Sequence, residues 1–170
     1  IIPEAEGKTI LAAIEKVKKE FAEGKFPAND SALTVYDLLK SRICAIAGKA
    51  SEWFGVASSD AAQIAGDTRL VIRDAYDAVD RAVYNIQAAL IDKAEENVKA
   101  IFPGVSHSQL AQPISFGHYL MAFVEMFGRD RERIKEARSR MNESPFGSGA
   151  IAGNAFNVGR ELMSRTLEFD

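Results

Sequence analysis

Apolar residues recur at intervals of three and four along most of this chain, the spacing of one helix face. In TILAAIEKVKKEFAEG they fall at Ile10, Leu11, Ile14, Val17 and Phe21, which predicts a helix starting near residue 8. Gly24, Pro27 and the capping pair Asn29-Asp30 break that pattern. A second helix is expected from about Ser31 to Ala47, with Leu33, Leu38, Leu39 and Ile43 turned inward. The stretch SEWFGVASS is irregular, and Ser58, Ser59 or Asp60 can cap the helix that follows.

Residues 60–102 contain no proline and a single glycine, Gly66, and predict one long helix. One apolar stripe reads Ile72, Tyr76, Val79, Val83, Ile86 and Leu90. A second, offset by one residue, reads Val71, Ala75, Ala78, Ala82 and Ala89. Arg73, Asp74, Asp77 and Arg81 take the remaining face. Apolar surface this broad is normally buried on more than one side. At 1.5 Å per residue the helix is roughly 60 Å long, whereas a compact domain of this size has a radius of gyration of about 15 Å. The mismatch predicts a homo-oligomer whose bundle is shared between subunits.

Pro103-Gly104 ends the long pattern and opens PGVSHSQLAQPISFGHYLMAFVEM, in which a short polar knot carries His107 between two helices. The next helix is expected over 115–141, with Phe116, Leu120, Phe123, Phe127, Ile134 and Met141 on one side. Its second half, RDRERIKEARSR, reads as a solvated face. ESPFGSGAIAGNAF is glycine-rich and irregular, and a further helix starts near residue 157. No strand pattern is evident. The expected fold class is all-α, an elongated helical bundle with one very long central helix. Residues 1–170 then form part of a single central bundle domain: N-terminal helices over 8–47, the long helix over 60–102, a second bundle helix over 115–141, and the last from 157.

Composition narrows the function classes. Lys plus Arg number 21 and Asp plus Glu 24, a net charge of -3, so there is no electrostatic footprint for nucleic acid or an anionic membrane. One cysteine, Cys44, excludes an internal disulfide framework and fits a reducing compartment. No apolar run approaches the roughly 20 residues of a membrane span. The N-terminal IIPEAEGKT has neither an initiator Met nor a secretory pattern. The expectation is a fragment of a soluble cytoplasmic protein.

Few residues carry obvious chemistry. His107, His118 and Cys44 are scattered without metal-ligand spacing, so neither a metal nor any other cofactor is expected. Ser148 lacks the GxSxG spacing and preceding strand of a nucleophile elbow, and the glycines around it read as a tight turn. His118, between Phe116 and Leu120, reads as a partly buried helix histidine. His107 differs because Ser106, Ser108, Gln109 and Gln112 surround it with donors suited to carboxylate groups. A hydrogen-bonded connection between helices explains the same residues equally well.

Longer motifs shift that balance. SHSQLAQPISFGHYLMAFVEMFGRDRERI resembles the PGYTHLQxAQPxxFGHxLLAYxEM region and following RDxER stretch of argininosuccinate lyase, in the fumarase/aspartase superfamily. MNESPFGSGAIAGNAF is similar to that family's N-x-SPLGSGALAGTT, and QIAGDTRLVIRDA to its QVATDLRLxLRDA. The likeness extends from about Ala45 onward and more faintly over the first two helices. It implies a helical bundle assembled from four subunits and anti elimination of fumarate from an N-substituted aspartate. His107 then matches the active-site histidine, and Ser106 a threonine that hydrogen-bonds a substrate carboxylate. Gln112 and Ser59 complete the expected substrate-binding set, with a small dicarboxylate or N-substituted aspartate as ligand.

The chain also departs from the family's pattern. VASSDAAQ, residues 56–63, replaces TGRSRNDQ: Ser59 survives, while Ser58, Asp60, Ala61 and Ala62 stand for the arginines and the Asn-Asp pair. Ala32 occupies the place of the histidine in DVHxNIE. The family's GSSxMPxKxNP loop, with the serine that serves as base, is not among these residues, so the 170-residue chain alone is expected to be inactive. Two alternatives follow: a C–N lyase for a different N-substituted aspartate, or a non-catalytic homologue in the manner of the δ-crystallins.

Overall fold

The computed structural model describes residues 2–27 and 34–170. These form two compact units, one of residues 1–59 with 147–158 and one of 60–146 with 159–170. Asn29, Asp30, Ser31, Ala32 and Leu33 lie outside the described residues, and with them the expected start of the second helix.

In the first unit, α1 (Glu4–Ala22) packs on α2 (Val35–Ala47) and on a 3-10 segment, Gly48–Trp53. Ile10, Ala13 and Val17 from α1 meet Ile43, Ala47 and Ala50 in one core, edged by Ile14, Phe26, Leu39 and Trp53. Helical periodicity turns Ile10, Ile14, Val17, Leu39 and Ile43 inward as found, whereas Leu11 and Phe21 of the same stripe are exposed. Thr34 caps α2 by accepting the Asp37 N–H at 3.1 Å. A bidentate pair from Arg42 to Glu20, 2.9 and 2.8 Å, closes the edge of the core.

In the second unit, α3 (Asp60–Glu96) leads into strands β1 (Ile101–Ser106) and β2 (Gln109–Ser115), then α4 (Phe116–Met141) and α5 (Arg160–Thr166). Helix α3 stops at Glu96 rather than near residue 102. Asn97 bonds back to the Lys93 carbonyl through Nδ2 at 2.8 Å, and Ala100 N–H bonds to Asn97 O. Asparagine readily ends a helix in this way. Beyond it the backbone turns to strand pairing instead of the polar loop that the pattern predicts. Pro103 and Pro113 stand opposite each other in the ladder. They are tolerated because both strands of a two-stranded sheet are edges.

Polar pairs share the seam between α3 and α4 with the expected apolar residues, of which Tyr76, Val83 and Leu90 on α3 are half-buried. Gln87 Nε2 donates to Val124 O at 2.9 Å, Arg131 pairs with Asp80, and Arg138 pairs with Asp77. Arg73 donates to the carbonyls of Leu167 and Glu168 at 2.8 and 2.9 Å and lies over the Phe169 ring. Arg73 is thus half-buried, as are Arg131 and Arg138 from the stretch read as solvated, while Asp77 pairs from an exposed position at the rim of the seam. Val71, Ile72, Val79 and Ile86 are exposed. Periodicity assumes that the apolar face is the inner one, and carboxylate–guanidinium pairs can fill a seam when each satisfies the other. The aromatic side of α4 follows expectation, with Leu120 buried and Phe116, Phe123, Phe127, Ile134 and Met141 partly so. Among the described residues no helix is long and apolar enough to cross a membrane.

Candidate functional site

The hairpin between α3 and α4 holds three of the four residues that the sequence singles out. Its strands pair from Ile101↔Ser115 to Ser106↔Gln109, leaving His107 and Ser108 as a two-residue turn. Both have positive φ, 51° and 62°, as a type I′ hairpin turn requires. Neither is glycine or asparagine, the residues that adopt this conformation at least cost. A turn built for stability alone would use them.

A register shift between Pro103 and Val105 kinks β1. Gly104 at the kink is buried, and a Cβ there would lie 2.9 Å from the Gln112 carbonyl oxygen. The bulge therefore demands glycine and draws the two strands close at Gln112. Ser106, His107 and Gln112 are all exposed, so the hairpin presents a hydroxyl, an imidazole and an amide to the surroundings. Each can donate to a carboxylate oxygen.

Ser59 belongs to the other compact unit, as its final residue before α3. It follows a tight turn in which Val56 N–H bonds to Trp53 O at 3.3 Å and Ser58 N–H to Gly55 O at 3.0 Å. Ala57 in this turn has φ 63°. Asn154 Nδ2 donates to the Ala57 carbonyl at 2.6 Å. That contact is invisible to periodicity because its partners lie 97 residues apart.

His118 is exposed on the first turn of α4, not partly buried, and its backbone N–H bonds to the capping Ser115 Oγ at 3.1 Å. It borders a groove of about 390 Å³ with Ile91, Val98 and Met121. Among the described residues no group of three or more His, Cys, Asp or Glu side chains is placed to hold a metal ion.

A long helix and an antiparallel return helix, joined by a two-stranded hairpin, make a mostly helical protein with the architecture expected of the fumarase/aspartase kind. Residues 1–169 match the Lyase_1 family, described as Lyase, and the chain belongs to that family. The expected fumarase/aspartase-like helical fold is the one found, with two short strands added.

Similar solved structures include EDDS lyase in complex with formate, 27% identical with a TM-score of 0.87 over 97% of this chain and 32% of that one. A fumarate lyase from Mesorhizobium sp. BNC1 is 23% identical with a TM-score of 0.73, covering 98% of this chain and 39% of its own. A 3-carboxy-cis,cis-muconate lactonizing enzyme from Pseudomonas putida is 20% identical with a TM-score of 0.71, covering 99% and 40%. The chain thus spans 32% to 40% of the length of these proteins.

Proposed function

We propose that this chain is part of a cytoplasmic C–N lyase that eliminates fumarate from an N-substituted aspartate, with argininosuccinate as the substrate its motifs favour. One observation carries the reading: a Lyase_1 chain places Ser106, His107 and Gln112 on one exposed hairpin. A variant of the similar EDDS lyase holds bound fumarate, the product expected here.

In the reaction a base takes the Cβ proton and its electron pair builds an aci-carboxylate. That intermediate collapses to the C=C bond as the C–N bond breaks and the amine leaves with its pair. Charge grows on the carboxylate oxygens before the amine departs. Donors fixed in advance are worth most at that moment. Ser106 Oγ–H and Gln112 Nε2–H fit that task, and His107 balances charge beside them. The base itself is not assigned to any of these 170 residues.

The altered VASSDAAQ segment favours a second reading, elimination from a different N-substituted aspartate, because Asp60 brings negative charge to a motif that pairs with a dicarboxylate. The test is fumarate absorbance with protein expressed from its complete gene, offered argininosuccinate and then other N-substituted aspartates. Fumarate from argininosuccinate supports the first reading, and fumarate only from another substrate supports the second. No release from any of them refutes both and leaves a structural or binding homologue.

A further inference from the structure

Asn154 uses both ends of its side-chain amide. Nδ2 donates to the Ala57 carbonyl at 2.6 Å, while Oδ1 accepts the Phe156 N–H at 3.0 Å. One atom folds its own loop and the other grips a distant turn. The gripped residue is an alanine at φ 63°, a conformation that non-glycine residues keep only when their surroundings impose it. Ser58 returns both its N–H and its Oγ–H to Gly55 O, at 3.0 and 2.8 Å.

The gripping loop is itself restrained. Gly149 lies so close to the Gly153 carbonyl that no Cβ fits, and Ala150 and Gly153 form an isolated bridge. An amide held on so tight a loop makes a fixed anchor. Asn154 also stands where the resembling motif has threonine, in a chain whose 56–63 segment departs from its own motif.

From these contacts we infer that Asn154 is a positioning residue that imposes the left-handed Ala57 conformation and thereby aims Ser59. The aim at Ser59 rests on the substrate-binding reading above; the hold on Ala57 does not. Asn154→Asp separates the two ends, because it keeps the acceptor for Phe156 and loses the donor to Ala57. In the complete protein, amide exchange at Val56 and Ser58 should then quicken about tenfold, the upper worth of one neutral hydrogen bond. Ile10 and Val17 in the α1 core should stay protected.

Succinate affinity should fall by a similar factor, and Ala57→Gly in the same chain should restore it by making the left-handed conformation free of strain. If the aspartate variant does not fold, Asn154→Ala, which also loses the donor to Ala57, is read at Val56 and Ser58 in the same way. Unchanged exchange at Val56 and Ser58 overturns the hold on Ala57. Faster exchange with unchanged succinate affinity overturns the aim at Ser59. A wild type that binds no succinate sinks the proposed function instead, and exchange with its glycine rescue then decides the hold on Ala57 alone.

Discussion

Arg131 on α4 donates from Nε and Nη2 to the two carboxylate oxygens of Asp80 on α3, at 2.7 and 3.0 Å, with its guanidinium 5.1 Å from the centre of the Tyr84 ring. Two turns further along α4, Arg138 grips Asp77 in the same two-pronged way, at 2.6 and 3.0 Å. A planar fork matched to a carboxylate fixes orientation as well as charge. These pairs set the register of the two helices along a seam where leucines would slide.

The pairs should show in acid. The hydrogen bond from Arg131 holds the Asp80 carboxyl below the usual carboxylate range, and that from Arg138 does the same for Asp77. A carboxylate with a depressed folded value stabilises fully above its unfolded pKa, near about 4. That stability is lost as pH falls through the folded value. Asp80→Asn should therefore lower the melting temperature at neutral pH and flatten its decline below about pH 4. Parallel melting curves for variant and wild type across that range would refute the assignment.

Helix approach gives a steric prediction. A Cβ on Gly117 would sit 2.7 Å from the Ala94 carbonyl oxygen, a backbone atom that cannot step aside. A Cβ on Gly128 meets only the Gln87 side-chain amide at 3.4 Å. Gly117→Ala should cost about 1–3 kcal/mol through overpacking. Gly128→Ala should be neutral or stabilising by up to about 1 kcal/mol from helix propensity. Denaturant midpoints measure both, and a tolerated Gly117→Ala would show that the helices can part at no cost.

Where the chain obeys simple periodicity, it was legible. Ile10, Val17 and Ile43 form the core that their spacing predicts, and Leu120 is buried as expected. Periodicity failed along part of α3 because it ranks residues by hydropathy, whereas Asp80 enters the seam and Asp77 sits at its rim by pairing with arginines 51 and 61 residues away. It failed at the hairpin because Pro103, Gly104 and Pro113 argue locally against strands. Ser106, His107 and Gln112 were found as candidates through a motif, not a pattern. Asn154 offered no local signal at all.

The exposed apolar side of α3 carries an assembly prediction. Val71, Val79 and Ile86 are 69%, 49% and 45% exposed, well separated along one helix. Burying such side chains is worth about 25 cal/mol per Å², which favours a second copy over water. We expect a homo-oligomer, with a tetramer as the state the motifs favour, and Val71→Glu with Val79→Glu should dissociate it. Sedimentation velocity at micromolar concentration reads the result. A stable wild-type monomer would rule the interface out.

The hairpin tip separates a working site from a structural turn. His107 and Ser108 hold left-handed backbone at a cost of roughly 1–2 kcal/mol each for ordinary residues. Ser108→Gly removes that strain but gains unfolded-chain entropy worth about 0.4–1 kcal/mol, so stability should rise by about 1 kcal/mol or less. His107→Asn keeps a residue suited to the turn and deletes the imidazole. If the tip receives a dicarboxylate, the asparagine variant should stay as stable as wild type while succinate binding weakens at least about tenfold, because a hydrogen bond to a charged group is worth about 1.5–3 kcal/mol. Ser108→Gly should leave succinate affinity intact. Equal succinate affinity in His107→Asn and wild type would reduce the hairpin to a connection between helices.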